Sequence, residues 1–150
     1  MDSEVALLIH HLSRAHHLMQ GLLMREISRN GIEKEINPGM RPIFCMLAGD
    51  VGLSISELAQ RLDQAKSSVT GAVRRMEKAG LVALVSDGDD GRRKQVRLTA
   101  RGRDLVPVCE RIEATIEEQL GVHLEPGDIQ DLLRLLIKLT DLPEGDGGPL

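Results

Sequence analysis

Residues 81–99 of this 150-residue chain read LVALVSDGDDGRRKQVRLT. The stretch begins with an apolar run (81–85) and ends with an alternating run (95–99), in which Val96 and Leu98 are the apolar members. Two short runs of this kind, separated by a polar stretch that contains two glycines, predict a β-hairpin. Because the connecting residues are too charged for burial, we expect a long loop with a basic tip.

Two helices joined by a tight turn are predicted directly before the hairpin. The first covers residues 55–62 and begins with a capping box, since Glu57 stands three residues after Ser54. The second covers residues 65–79 and ends at Gly80, a residue that tolerates left-handed backbone. The side chains expected to face inward from these two helices are Leu58, Ala59, Leu62, Val69, Ala72, Val73 and Met76.

Helical periodicity continues on both sides of this centre. Apolar residues at spacings of three and four predict a long helix over residues 3–29, and a shorter helix is expected over 40–48. A further long helix is predicted after Thr99, and a last one over 127–141. The apolar positions of the helix after Thr99 are Leu105, Cys109, Ile112, Ile116 and Leu120.

The charge of the chain is distributed unevenly. The total is −4 at pH 7, but residues 1–60 carry −2, residues 61–103 carry +6 and residues 104–150 carry −8. A basic middle segment favours a nucleic-acid partner for that segment. Phe44 is the single aromatic residue of the chain, which argues against recognition of single strands by base stacking.

A helix that enters the major groove of DNA must be slim and polar on its outer face. The predicted second helix of the pair has such a face, because small hydroxyls stand near its start and cations stand further along. An amphipathic helix with a merely solvated basic face is the alternative. The outward residues are Lys66, Ser67, Ser68, Thr70, Gly71, Arg74 and Arg75.

The hairpin favours the DNA-recognition helix over the helix with a merely solvated basic face. Asp90-x-Arg92, followed after five residues by Leu98-Thr99, resembles the signature of the MarR (multiple antibiotic resistance regulator) family. The order of the flanking helices is similar too. The resemblance implies a mainly α protein with a small β-hairpin wing (α+β), that is, a winged helix-turn-helix with flanking long helices that form a dimerisation layer.

The resemblance also implies an organisation of the chain. Residues 1–142 would be one subunit, with dimerisation helices in 3–36 and 100–141 and the winged helix-turn-helix in 40–99. Residues 143–150, rich in glycine and proline, are predicted to be a disordered tail.

The function implied by the resemblance is that of a homodimeric, ligand-responsive regulator that represses transcription from a palindromic operator on double-stranded DNA. Arg92 would enter the minor groove, whose negative potential suits a guanidinium, and Asp90 would orient it. The expected DNA-contacting residues are Lys66, Ser67, Ser68, Thr70, Arg74, Arg75, Arg92, Arg93 and Lys94.

Three positions depart from the family pattern. Ala65 stands where a capping serine is usual, Gly71 where an arginine or lysine is common, and Leu84 where an arginine is common. An operator sequence therefore cannot be carried over from relatives.

Similar proteins bind small, often aromatic acids between the dimerisation layer and the winged domain. A possible effector with a carboxylate would suit a site with a cation and apolar walls. Ordinary surface and core roles are the alternative for these residues, and neither a cofactor nor a metal site is predicted. The candidate residues are His10, His11, Arg14, His17, Arg41 and Phe44.

Other function classes are weighed against this one. A protein-interaction module with the same fold, or a redox-sensing regulator that uses Cys45, remains open, although both Cys45 and Cys109 are expected to be small buried side chains. No nucleophile–base pair, metal set or phosphate loop indicates an enzyme. The absence of a signal peptide or membrane span in the sequence, together with the wide cysteine spacing, favours a cytoplasmic protein. The resemblance to the MarR family implies a bacterial one.

Overall fold

The structure, a computed structural model, describes residues 3–49, 52–86 and 94–141. The described residues are mainly helical with one two-stranded antiparallel sheet, which confirms the predicted fold class. The elements are α1 (Glu4–Arg29), α2 (Arg41–Leu47), α3 (Ile55–Leu62), α4 (Lys66–Lys78), β1 (Val82–Ser86), β2 (Lys94–Leu98), α5 (Ala100–Gly121) and α6 (Asp128–Thr140).

The chain forms two compact units, residues 1–113 and residues 114–150, and the division falls within α5. The first unit contains α1 to α4 and the hairpin. The second contains the end of α5 and all of α6. The predicted disordered tail, residues 143–150, lies outside the described residues.

The start of α3 is fixed by the predicted capping box. The backbone N–H of Glu57 donates to Ser54 Oγ (3.1 Å), and the backbone N–H of Ser54 donates to Glu57 Oε2 (3.4 Å). The helix ends at Asp63, whose φ of 50° is left-handed, and the N–H of Gln64 donates back to the carbonyl of Ala59 (3.0 Å). These bonds set the tight turn between α3 and α4.

The end of α4 is a glycine cap that turns the chain into β1. Gly80 has a φ of +77°, and its N–H donates to the carbonyl of Glu77 (2.9 Å). The N–H of Leu81 donates to the carbonyl of Met76 (2.9 Å), which completes a Schellman motif. Leu81 and Met76 are both fully buried, so the cap is tied to the core.

β1 and β2 pair in the register Val82↔Leu98, Leu84↔Val96 and Ser86↔Lys94. Each strand is shifted by one residue from its predicted bounds. Leu53, between α2 and α3, adds an isolated bridge to Val96, with the two backbones exchanging hydrogen bonds of 3.2 Å and 2.7 Å. This bridge holds the base of the hairpin against the chain that enters α3.

The core of the first unit is formed by apolar side chains from α1 to α5 and from both strands. The predicted inward faces of α3 and α4 are confirmed except at Leu62, which is only half-buried at the last turn of α3. Val96 and Leu98 are buried, as predicted. The most deeply buried side chains include Phe44, Ile27, Ile36, Ile43, Leu58, Met76, Leu81, Val69, Val73 and Val96.

α5 begins at a close approach of two backbones. Thr99 Oγ1 accepts from the N–H of Gly102 (3.1 Å) and donates to the carbonyl of Gly80 (2.5 Å). A Cβ at position 102 would overlap the carbonyl oxygen of Leu81. Glycine is therefore required there, and Thr99 links the start of α5 to the end of α4.

Two helices leave large apolar side chains in solvent. On α1 these include Val5, Leu8 and Ile9, and α6 has no buried residue at all. No described helix is long and apolar enough to cross a membrane. The exposed apolar residues of α6 are Ile129, Leu132, Leu133, Leu135, Ile137 and Leu139.

Candidate DNA-binding surface

α4 separates its residues into two faces. Val69, Ala72, Val73 and Met76 are buried. On the opposite side, Thr70 is half-buried, as is its neighbour Gly71, and the other five predicted contact residues of this helix are exposed: Lys66, Ser67, Ser68, Arg74 and Arg75. The structure therefore brings the six predicted contacts of α4 onto one accessible, basic stripe.

The first turn of α4 has no side-chain cap. Ala65 occupies the N-cap position, and its methyl side chain has no oxygen that could accept from the helix N–H groups. Thr70 Oγ1 donates to the carbonyl of Lys66 (2.8 Å), so the proton of this hydroxyl is committed within the helix. Thr70 can therefore offer DNA an acceptor more readily than a donor.

The predicted wing is described at its base. Lys94, the first residue of β2, is exposed. Asp90, Arg92 and Arg93 lie outside the described residues, so their expected roles remain predictions. The strands and the bridge from Leu53 define where the loop that carries them leaves the body.

Arg97 is an exposed cation at this base that the sequence analysis did not single out. Its Nη2 donates to Gln95 Oε1 (3.0 Å), and a Cβ at Gly52 would lie 2.7 Å from Arg97 Nε. The two side chains thus lie against the bare backbone of Gly52. The sequence signal for this position is the alternation of β2. Because Val96 and Leu98 point inward, Gln95 and Arg97 must lie on the outer face.

The predicted effector residues do not form one group. Four of them line an open groove along α1: His10, His11, Arg14 and His17. The rings of His10 and His11 pack edge to face, with their centroids 5.3 Å apart. Arg41 and Phe44 are not part of that lining.

Arg41 and Phe44 instead belong to an ion pair and to the core, respectively. Arg41 forms an ion pair with Glu113. Phe44 is 1% exposed and belongs to the core, so in this conformation it offers no accessible surface to a ligand.

Cys45 lies beside the Arg41–Glu113 pair, with its Sγ 3.8 Å from Glu113 Oε1. The prediction that Cys45 is buried is wrong, because Ile43, Phe44 and Leu47 take the inward face of α2 and leave Cys45 exposed. Partial desolvation raises the pKa of the Cys45 thiol, Arg41 opposes this, and Glu113 adds to it. A raised pKa works against the thiolate that redox sensing needs.

Cys109 is buried, as predicted. Its burial raises the pKa of the Cys109 thiol, and the nearby Cys45 raises it further. Among the described residues, no group of three or more His, Cys, Asp or Glu side chains is arranged to hold a metal ion.

The comparisons with known proteins agree with this geometry. A sequence profile of the MarR family matches residues 44–93. The HTH-type transcriptional regulator FarR of Neisseria gonorrhoeae is 36% identical over 104 residues, which cover 66% of this chain and 70% of FarR. The HTH-type transcriptional repressor Rv2887 of Mycobacterium tuberculosis is 31% identical over 94 residues, or 63% of this chain and 68% of Rv2887.

The transcriptional activatory protein BadR of Rhodopseudomonas palustris is 35% identical over 92 residues, or 60% of this chain. The match spans only about half of BadR (52%). Among solved structures, Bordetella bronchiseptica BpsR, whose DNA binding is regulated by 6-hydroxynicotinic acid, is similar to this chain with a TM-score of 0.76, at 23% identity over 88% of this chain and 91% of BpsR.

The helix pair, the hairpin and the flanking long helices define a winged helix-turn-helix protein. The chain belongs to the MarR family of transcription regulators. Its relatives regulate transcription and are not enzymes, which agrees with the expectation from the sequence.

Proposed function

We propose that the protein binds double-stranded DNA as a homodimer and represses transcription until a small effector releases it. The observation that carries the proposal is the two-faced α4, with an apolar face in the core and an exposed stripe of hydroxyls and cations. Phosphate contacts by Arg and Lys supply affinity, and hydroxyls near the helix start reach base edges.

The proposed dimer is supported by apolar surface that the single chain leaves in water. Ile9 of α1 is 62% exposed and Leu133 of α6 is 55% exposed, among several large apolar neighbours on each helix. Contiguous exposed apolar surface marks interaction sites. A second copy of the chain is the partner that the family resemblance implies.

A two-fold dimer presents two α4 helices to the duplex. The operator is then an inverted repeat, with half-site centres about one helical turn, ~34–36 Å, apart. Selection of bound sequences from a random DNA library is the test. We expect an inverted repeat to emerge, whereas a library that yields no preferred sequence, or a site without symmetry, would contradict the proposal.

Repression is proposed because relatives such as Rv2887 are repressors. BadR is an activator, so the sign is to be tested with a reporter gene placed behind the selected operator. Repression predicts lower expression with the protein than without it, and higher expression would assign activation. A regulator of this kind acts in the bacterial cytoplasm, where the chromosome is.

The proposed effector is a small aromatic carboxylate. The groove on α1 combines the cation of Arg14 with histidine rings and Leu18. Arg41, which lies outside the lining of this groove and pairs with Glu113, is the alternative cation for the carboxylate. A thermal-shift screen of aromatic acids tests this, since a ligand at 100 times its Kd adds about 2.7 kcal/mol of stability. Arg14→Gln and Arg41→Gln tell the two cations apart, and no shift with any acid would overturn the proposed ligand class.

A protein-interaction module is the second candidate, and the basic stripe of α4 tells against it. Cations concentrated on this stripe suit a polyanion. A module of that kind would show no operator in the DNA selection.

A further inference from the structure

Gly71 lies in the middle of the exposed stripe of α4, between Ser67 and Ser68 on one side and Arg74 and Arg75 on the other. Glycine is among the least favourable residues in the interior of a helix. A glycine at such a place therefore indicates either a packing or backbone requirement within the protein or a role in contact with a ligand.

The fold supplies no reason at Gly71. Gly80 is required by its left-handed φ, and Gly102 by the carbonyl of Leu81. Gly71 has no positive φ, and a Cβ there would make only an ordinary contact among the described residues, 3.7 Å from Arg75 Nη1. A side chain at this position is thus tolerated by the protein itself.

Outside the helix's own backbone, the one described neighbour of that space is the guanidinium of Arg75. Side chains on a helix lean toward its N-terminus, so Arg75 extends along the stripe over position 71, one turn back. The N-terminal half of a recognition helix is the part that contacts base edges. The missing side chain at Gly71 leaves open the path by which Arg75 reaches that half.

We propose that Gly71 is a positioning residue for Arg75, and that the pair determines operator specificity. Arg75 lies across the bare backbone at Gly71 and reads a base edge, for which guanine is the preferred partner of a guanidinium. A longer side chain at position 71 would occupy the path of Arg75. The inference rests on the proposed DNA binding, which it makes more specific.

The test is a double-mutant cycle on the full-length dimer with its selected operator. Gly71→Gln, which adds a long side chain that favours a helix, is expected to weaken operator binding about tenfold, as Arg75→Ala does, since one bidentate base contact is worth about that much or more. The double variant is expected to be no weaker than either single variant. Affinity for unrelated DNA should fall only slightly, and by the same amount, in Gly71→Gln and Gly71→Ala. Gly71→Ala should lose much less affinity for the operator than Gly71→Gln does.

A second readout is the sequence selected by each variant. Gly71→Gln and Arg75→Ala are expected to lose preference at the same base pair of each half-site and to keep the others. Gly21→Ala, at a helical glycine of α1 with nothing within 4 Å of its Cβ, is the control for a stiffer helix and should select the parent sequence.

The outcomes separate the two claims. If the parent protein selects no DNA, the proposed function fails. If it selects an operator but the two substitutions weaken binding additively, or Gly71→Gln binds and selects as the parent does, the positioning role of Gly71 is overturned and the proposed function stands.

Discussion

The carbonyl oxygen of Leu81 occupies the space where a side chain at residue 102 would begin. The same oxygen accepts the backbone N–H of Thr99 (3.0 Å), so it cannot move aside without breaking that bond. A single missing methyl group thus lets α5 start directly against the end of the turn into β1.

Gly102→Ala is expected to lower the free energy of unfolding by about 2 kcal/mol, because the methyl group forces two backbones apart. Urea denaturation followed by circular dichroism measures the change. Gly21→Ala is the matched control, since no described atom outside its own helix backbone lies within 4 Å of its Cβ, and it should raise stability by about 0.5–1 kcal/mol. Equal stability of Gly102→Ala and the parent would show that the close approach is not real.

Thr99 is the residue of the hairpin signature whose role the structure explains. Its hydroxyl caps α5 through Gly102 and bonds the carbonyl of Gly80. Thr99→Val keeps the shape and removes both bonds, so unfolding should become easier by about 1–2 kcal/mol. Thr99→Ser keeps the hydroxyl and should recover most of this loss in the same denaturation experiment; a valine variant as stable as the serine variant would contradict the cap.

The raised pKa of Cys45 has a consequence for pH. The Cys45 thiol has a higher pKa in the folded chain than in the unfolded chain. Its contribution to the free energy of unfolding is therefore fully present below the ordinary thiol pKa, and it is lost as the pH rises through the raised pKa of the folded chain. Alkylation of Cys45 by iodoacetamide at neutral pH should accordingly be slower in the folded protein than in urea. Glu113→Gln removes one cause and should speed the folded-state reaction, and Cys45→Ser identifies the site. Faster alkylation in the folded than in the unfolded chain would contradict the direction of the shift.

At the scale of elements, local patterns in the sequence predicted most of the fold. The capping box at Ser54, the helical glycine cap at Gly80 and the change of period after it are short-range signals, and each lies where expected. The two faces of α4 follow from the spacing of its apolar residues for the same reason.

What the sequence did not predict depends on contacts between distant segments. The bridge between Leu53 and Val96 joins residues more than forty positions apart. A single residue pair of this kind leaves no periodic pattern in the sequence from which it could be predicted. Cys45 was misjudged because apolar neighbours on both sides suggested burial, whereas the packing of α2 selects one face. The effector residues were grouped by resemblance, and the groove on α1 holds four of the six.

At the scale of the whole molecule, the exposed apolar residues of α1 and α6 predict association. Leu133→Glu and Ile9→Glu each place a charge on such surface, and we expect both to shift the protein from dimer to monomer in sedimentation experiments. Val85→Glu, at an exposed apolar residue of β1, is the control and should remain dimeric. A parent protein that is monomeric at micromolar concentration would contradict the proposed assembly.

The distribution of charge is the other property of the whole chain that bears on function. The total of −4 would rank DNA binding low, but the +6 of residues 61–103 includes the exposed stripe of α4. In the proposed complex, the acidic segments on either side would keep the rest of the chain away from phosphates and favour one orientation on the duplex.

Dimeric binding of this chain to DNA can be measured as the affinity for its selected operator at a series of salt concentrations. We expect two chains to bind per inverted repeat. The logarithm of the affinity should fall linearly with the logarithm of the salt concentration, and neutralising one phosphate-contacting cation such as Lys66 should reduce the slope by about 1. An affinity that does not depend on salt, or a single chain bound to a site without symmetry, would contradict this expectation.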